Sequence, residues 1–373
     1  MAATLRSAPA SGLKKPDRRG RIRVVVRVRP TIQEDLELPV HPYTGDGHAE
    51  CVSEDAQRGT VQLRRPFYDT REFSFDDVLS RHASQSQTYD AVARGLVDSV
   101  LEGFNGTILA YGVSGTGKTH TIYGPLAFWH GPSEPPQLEL SGIIPRSAAQ
   151  IFAHANAKGC QMRVTLLSLQ IYQETVSDLL YPPAAASSSS SLLVREDPTR
   201  GIYVEGLTEV VVESPQQVLR AVQVSATNRA TVSTAMNRCS SRSHAMLLMR
   251  VEQWERAEGG AAKGGAAKGG AAAGGVRVAR RSLLSVVDLA GSERVSKSGS
   301  EGTRLDEAKR INKSIAALGN CIAALAGPAR STHVPFRDSK LTRLLTDSLG
   351  GKCAPPPLAP RVTAIGRSGA TRV

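Results

Sequence analysis

The chain has 373 residues and 40% hydrophobic content, enough for one large α/β domain or two smaller ones, and no apolar run reaches the length of a bilayer span. The net charge of +12 is unevenly placed, with +8 over residues 1–30, +6 over 294–343 and +4 over 352–373, a pattern that points to a polyanionic partner such as nucleic acid or an acidic protein surface. The five cysteines (Cys51, Cys160, Cys239, Cys321, Cys353) have no metal-type spacing and the first twenty residues have no apolar signal segment, which favours cytosol or nucleus over a secretory route.

Residues 1–20 read as a disordered basic arm. Residues 22–30 form a strand ended by Pro30, followed by a polar excursion over 31–60 and two short strands at 61–63 and 72–75. Tyr89, Val92, Leu96, Val97 and Val100 make a helical stripe within residues 88–101, closed by Gly103. Residues 107–111 are a short apolar strand. Residues 124–142 read as a Pro/Gly-rich loop, and Pro145 opens a helix to about Ala157. Residues 162–172 are a buried strand. The Pro/Ala/Ser run 181–191 is a surface loop, and 192–212 a strand pair. Ser214-Pro215 caps a helix to about Arg229. Strands at 244–252 and 281–288 flank a Gly/Ala/Lys insertion, 258–275, which reads as an enlarged hairpin loop. Residues 303–326 hold the longest helical pattern, and a second helix at 339–349 stops at Gly350-Gly351.

The strand 107–111 leads into Gly112-Val113-Ser114-Gly115-Thr116-Gly117-Lys118-Thr119, and His120-Thr121-Ile122-Tyr123 continues as helix. Strand, glycine loop and helix are the context of a P-loop. Its backbone N–H groups form a nest for phosphate oxygens at a helix N-terminus. Lys118 is placed to reach the β- and γ-phosphates and Thr119 to ligate Mg²⁺. Two further stretches narrow the chemistry. In Ser285-Val286-Val287-Asp288 a carboxylate ends an apolar strand, the arrangement that holds the Mg²⁺ water shell beside a P-loop. Gly291 then offers a backbone N–H to a γ-phosphate. The cluster Asn237-Arg238-Cys239-Ser240-Ser241-Arg242-Ser243-His244 offers hydroxyls to metal, phosphate and attacking water.

With these residues in view, the chain from about Arg21 to Lys352 resembles the kinesin motor domain. The resemblance rests on Arg27-Val28-Arg29-Pro30, the P-loop, Ser240 to His244, Asp288 to Glu293, Ile311-Asn312-Lys313-Ser314, and the run His333 to Arg343. It implies a three-layer α/β P-loop NTPase with a mainly parallel central sheet flanked by helices on both faces, ATP and Mg²⁺ as ligands, and microtubules as partner in the cytoplasm. Pro30 and His120 would sandwich the adenine, with Arg27 nearby. Ser240 and Ser241 would touch Mg²⁺ and the γ-phosphate, and Arg242 and Glu293 would form the ion pair that closes the two switches. Asn312 would steady the switch after Glu293. Lys313, Arg337, Lys340 and Arg343, with Arg195 and Arg200, would meet acidic tubulin.

Val113 stands where the family usually has Gln, and Cys239 where it often has His. The segment after Glu293 and the long insertion look most like the armadillo-repeat kinesins of plants. After Gly350-Gly351 the family continues with an interior strand between the first strand and the P-loop strand. Pro355, Pro356 and Pro357 cannot serve there, whereas residues 361–365 can. The expectation is a motor domain over residues 21–352 with an atypical tail over 353–373, either truncated or mis-joined, or carrying a weak central seam. Two rival readings are a non-motile microtubule-binding module and, on charge alone, a P-loop enzyme acting on nucleic acid.

Overall fold

The structure is a computed structural model that describes residues 22–32, 52–65, 68–125, 138–158, 161–181, 192–198, 201–235, 240–256, 276–292, 303–326, 333–350 and 361–366. The strands are β1 (Arg23–Arg27), β2 (Val52–Asp55), β3 (Thr60–Arg65), β4 (Tyr68–Ser74), β5 (Asp77–Leu79), β6 (Gly106–Tyr111), β7 (Gln161–Tyr172), β8 (Thr175–Asp178), β9 (Val194–Asp197), β10 (Gly201–Val204), β11 (Val210–Val212), β12 (His244–Arg256), β13 (Val276–Asp288) and β14 (Arg361–Gly366). The helices are α1 (Gln85–Tyr89), joined by a π-turn at Asp90–Arg94 to α2 (Gly95–Leu101), then α3 (Lys118–Tyr123), α4 (Ile143–Lys158), α5 (Pro215–Ala235), α6 (Thr303–Ala326), α7 (Lys340–Leu344) and α8 (Thr346–Gly350).

The main sheet runs β11-β7-β12-β13-β6-β14-β1-β5, with β8 beside β7. From β13 to β5 the ladders are parallel. From β11 to β13, and at β8, they are antiparallel. The sheet is therefore mixed: parallel around the P-loop strand, and antiparallel from β11 to β13, where the consecutive pairs β7–β8 and β12–β13 are joined by direct chain reversals. The insertion 257–275 joins the paired ends Arg256 and Val276, the place foreseen for it; the insertion itself lies outside the described residues.

The core has two sides because the central strands are covered on both faces. Ile108 and Ala110 of β6 face one cluster with Leu284 and Val286 of β13, Ile122 of α3, Ile144 and Ile151 of α4, and Val218 and Val222 of α5. Leu109 and Val287 face the other, with Leu318 of α6 and Leu341 and Leu345 of α7. Alternation of period two along β6 thus feeds two helical layers from one apolar run.

Several elements differ from the sequence reading. β2, β5 and β8 lie in stretches without a clear alternating pattern. The first helix begins at Gln85, under a Ser84–Gln87 capping box, not at residue 88. α5 continues to Ala235. The helix expected over 339–349 is two short helices, α7 and α8, that meet at Leu345.

β14 fills the interior position between β1 and β6, parallel to both. Thr363 stands opposite Arg23 on one side and Ile108 on the other. Proline in such a strand removes a ladder donor and clashes with its neighbour. Thr363→Pro should lower the unfolding free energy by about 3 kcal/mol or more in urea titration. A change under about 1 kcal/mol would mean that the ladder does not contribute to stability there.

Candidate active site

The parallel strands end at one edge of the sheet, and the P-loop leaves β6 at that edge. Gly117, at φ +87°, is the left-handed residue that caps α3, a conformation a side chain would strain. The Lys118 ammonium is turned onto its own loop, donating to the Gly112 and Val113 carbonyls at 2.8 and 2.9 Å. Thr116 also closes on the Val113 carbonyl, at 2.8 Å. The loop is thus held in shape by the side chains of its own Thr116 and Lys118.

Asp288, at the end of β13, is only 1% exposed. Its Oδ2 accepts from the Thr119 hydroxyl at 2.8 Å and from the Arg229 guanidinium at 2.8 Å. Arg229 also donates to the Ser243 carbonyl at 3.0 Å. Burial works against the Arg229 charge, but the Asp288 carboxylate, with a smaller share from Tyr123, outweighs it and raises its pKa. Asp288 Oδ1 is buried with no hydrogen-bond partner among the described residues. A buried carboxylate oxygen without a donor, beside a P-loop hydroxyl, is a hard-oxygen set that suits a hydrated Mg²⁺.

Around it, Ser240–Arg242 form a single 3₁₀ turn. The Gly291 N–H donates to the Ser241 carbonyl at 2.8 Å, and the Ser292 N–H to the Gly112 carbonyl at 3.2 Å. The N–H expected to meet a γ-phosphate is therefore engaged with the serine loop here. Glu293 lies outside the described residues, so its pairing with Arg242 has no geometry in this structure. Ser114 and Gly115 lie in the loop itself. Pro30 is exposed and His120 half-buried. Arg27 is buried and gives its guanidinium to Gln85 Oε1 at 2.9 Å, Thr121 Oγ1 at 3.1 Å and the Ala83 carbonyl at 3.2 Å. Burial lowers its pKa to about 10, which leaves it charged at neutral pH. Gln85 in turn donates to the His120 carbonyl at 2.7 Å. Arg27 thus braces α3 from behind.

His244, at the start of β12, is fully enclosed. Burial, with the Arg229 charge, lowers its pKa to about 4, so the ring is neutral at pH 7. Neither Arg229 nor Gln85 was singled out from the sequence. Arg229 had a signal: it shares the core-facing stripe of α5 with Val218, Val222 and Ser225, where a lone cation requires a buried partner.

The basic residues fall on the other helical layer. Lys313 is exposed on α6. Arg337, in the turn Phe336–Asp338, reaches Glu196 of β9 at 3.4 Å, and Arg195 pairs with Glu205 at 3.0 Å. Lys340 opens α7, and its N–H donates to Glu174 Oε2 at 2.7 Å. Arg343 is half-buried in the same helix. Asp347 of α8 accepts from the Ile202 N–H of β10 at 3.3 Å. The β9–β10 hairpin, the Phe336–Asp338 turn, α6 and α7 thus pack into one surface. Arg200 lies outside the described residues. No helix among the described residues is long and apolar enough to cross a membrane.

A phosphate loop and a strand-end carboxylate that meet through Thr119 put the fold in the P-loop NTPase class. The kinesin motor domain family model matches residues 27–355, so the chain belongs to the kinesin motor-domain family. It is 41% identical over 334 residues to kinesin-like protein KIN-UA of Arabidopsis thaliana, covering 89% of this chain and 34% of that protein. It is 38% identical over 361 residues to kinesin-like protein KIF3C of Mus musculus, covering 88% of this chain and 41% of that one. The chain thus spans well under half the length of these relatives. A solved structure described as that of a fast kinesin superposes with a TM-score of 0.75 at 33% identity, over 94% of this chain and 86% of that one.

Two stability measurements check the site. Arg229→Leu strands the Asp288 charge and should lower the unfolding free energy by about 3–5 kcal/mol, part of which Asp288→Asn in the same chain should restore. No recovery in the double variant would show that the pair is not coupled. The second concerns pH. His244 has an ordinary pKa of 6.5 and a folded value of about 4. Below pH 6.5 the unfolded chain takes up a proton that the folded chain refuses. Its contribution is therefore full above about pH 6.5 and declines by about 3 kcal/mol as the pH falls to about 4. His244→Gln should flatten that part of the acid unfolding curve.

Proposed function

We propose that this chain hydrolyses ATP and couples its nucleotide state to binding of microtubules, as a motor domain acting on the cytoplasmic cytoskeleton. The observation that carries the reading is the meeting of Thr119 with Asp288, while the N–H of Gly291, three residues further along the chain from Asp288, holds the Ser241 carbonyl. Family membership and the separate basic surface support the partner.

In this reading Lys118 exchanges its two loop carbonyls for the β- and γ-phosphates, at little electrostatic cost because one set of oxygens replaces another. Thr119 and Asp288 hold Mg²⁺, which when bound neutralises charge on the phosphates. The Gly291 N–H leaves the Ser241 carbonyl for a γ-phosphate oxygen, and that exchange makes the loop around Ala290–Ser292 sensitive to nucleotide. Ser240 and Ser241 contact the metal and phosphate. Arg242 and Glu293 close the pocket and position the water for in-line attack. Pro30 and His120 flank the adenine, while Arg27 stiffens the helix beneath it. Lys313, Arg337, Lys340, Arg343, Arg195 and Arg200 meet acidic tubulin.

Microtubule pelleting beside a duplex-DNA binding assay separates this reading from a nucleic-acid enzyme; DNA binding without pelleting would overturn it. Glu293→Ala should bind ATP yet hydrolyse it very slowly, whereas Lys118→Ala should weaken nucleotide binding itself. Turnover by Glu293→Ala at the parental rate would remove the water-positioning role. Replacing Arg337 and Lys340 by Glu should weaken microtubule affinity by about tenfold or more and flatten its salt dependence, with basal ATP turnover little changed. Equal loss of both activities would point to unfolding and not to an interface.

A further inference from the structure

We infer that His244 is a positioning residue that ties the nucleotide-side loop to helix α6, an inference that rests on the function proposed above. The imidazole is 2% exposed at the head of β12. Its Nδ1 accepts the Ala290 N–H at 3.0 Å. A ring nitrogen that accepts an N–H carries no proton, so the neutral ring holds its proton on Nε2. The 2.7 Å contact of Nε2 with Ser314 Oγ is therefore a donation from the ring to the helix.

The two partners of this ring lie on opposite sides of the coupling problem. Ala290 precedes Gly291, whose N–H donates to the Ser241 carbonyl here and, in the function proposed above, exchanges it for a phosphate oxygen. Ser314 follows Lys313, which is exposed on α6 among the basic residues of the other layer. When Gly291 changes acceptor, the Ala290–Gly291 peptide turns, and the Leu289–Ala290 peptide whose N–H the ring holds is its immediate neighbour across the Ala290 Cα. A planar ring fixed at both nitrogens has no rotamer slack with which to absorb that movement. Either α6 follows or one of the two bonds breaks. The ring is thus a short rigid strut between the helix and the peptide next to a two-state one, which is what coupling between two sites requires. His244 touches neither phosphate nor filament in this account and acts through Ala290 and Ser314.

The test compares the full parental chain with Ser314→Ala, Ser314→Thr and His244→Asn. An asparagine keeps an acceptor near the Nδ1 position and is too short to reach Ser314. Basal ATP turnover should stay within about twofold for all variants, while the microtubule-stimulated kcat of Ser314→Ala and His244→Asn falls by about tenfold with the half-saturating microtubule concentration unchanged. Ser314→Thr, which keeps the hydroxyl, should restore stimulation. The double variant His244→Asn/Ser314→Ala should be no worse than either single one, because both remove the same bond. Parental stimulation of Ser314→Ala would overturn the inference, as would equal loss of basal and stimulated turnover without rescue by threonine. If His244→Asn loses its cooperative thermal transition, the Ser314 pair alone decides. A parental chain that microtubules do not stimulate would overturn the proposed function, and this inference with it.

Discussion

A carboxylate buried to 1% exposure persists only with donors around it, and Asp288 takes one from each of two helices. Thr119 comes from α3 and Arg229 from α5, while Asp288 itself ends β13. The phosphate loop, the helix leading to the serine cluster and the central sheet therefore converge on a single oxygen. The second guanidinium contact, to the Ser243 carbonyl, carries the constraint onward to the residue just before His244. The other carboxylate oxygen is buried without a hydrogen-bond donor among the described residues. One ion pair thus anchors three elements and leaves a hard ligand atom available.

Sheet polarity explains why so many groups of the candidate site share an edge. β1, β6 and β13 are parallel, so Arg27, Tyr111 and Asp288 all lie at their C-terminal ends, where open α/β sheets bind ligands. β12 runs the other way, and its first residues align with the last of β13, Ala245 opposite Asp288. An antiparallel strand therefore delivers His244 to the edge that the parallel strands deliver their carboxylate to. β7 pairs with β12 so that Ile171 lies opposite His244, which brings the following turn, Gln173 and Glu174, to the same edge.

What the sequence makes legible follows from this. The stretches buried on both faces, β6 and residues 284–288 of β13, are mostly apolar, and the P-loop has fixed spacing, so both are readable locally. The interior strand at residues 361–366 is readable because proline excludes its neighbours. Arg229 is harder, since a cation in a polar helix normally points to solvent. Only its place on the stripe of Val218, Val222 and Ser225 marks it as inward-facing. Gln85 and the capping box at Ser84 are legible in principle as Ser-x-x-Gln before an apolar stripe. The contacts of Arg27 are not, because its partners at Gln85 and Thr121 are 58 and 94 residues away and depend on packing alone.

Any link between the two helical layers has to pass the sheet. α3 and α5 pack on one face and α6 and α7 on the other, and the strands between are close-packed and hydrogen-bonded on both sides. Such a sheet is stiff across its middle, so movement at the phosphate loop is passed more readily around its edge than through it. Among the described residues, contacts at that edge reach the far layer. One is His244 to Ser314 and another is Glu174 to the first N–H of α7. Gln173 and Glu174 both sit at positive φ, +49° and +63°, in the two-residue turn from β7 to β8. That turn geometry favours Asn or Gly, and two longer side chains in it cost on the order of 1 kcal/mol each. The Glu174 carboxylate offsets part of that by capping α7, an anion at a helix N-terminus. The strain therefore has a structural counterpart: it holds the start of α7, where Lys340 stands, against the edge of the sheet that also bears the P-loop.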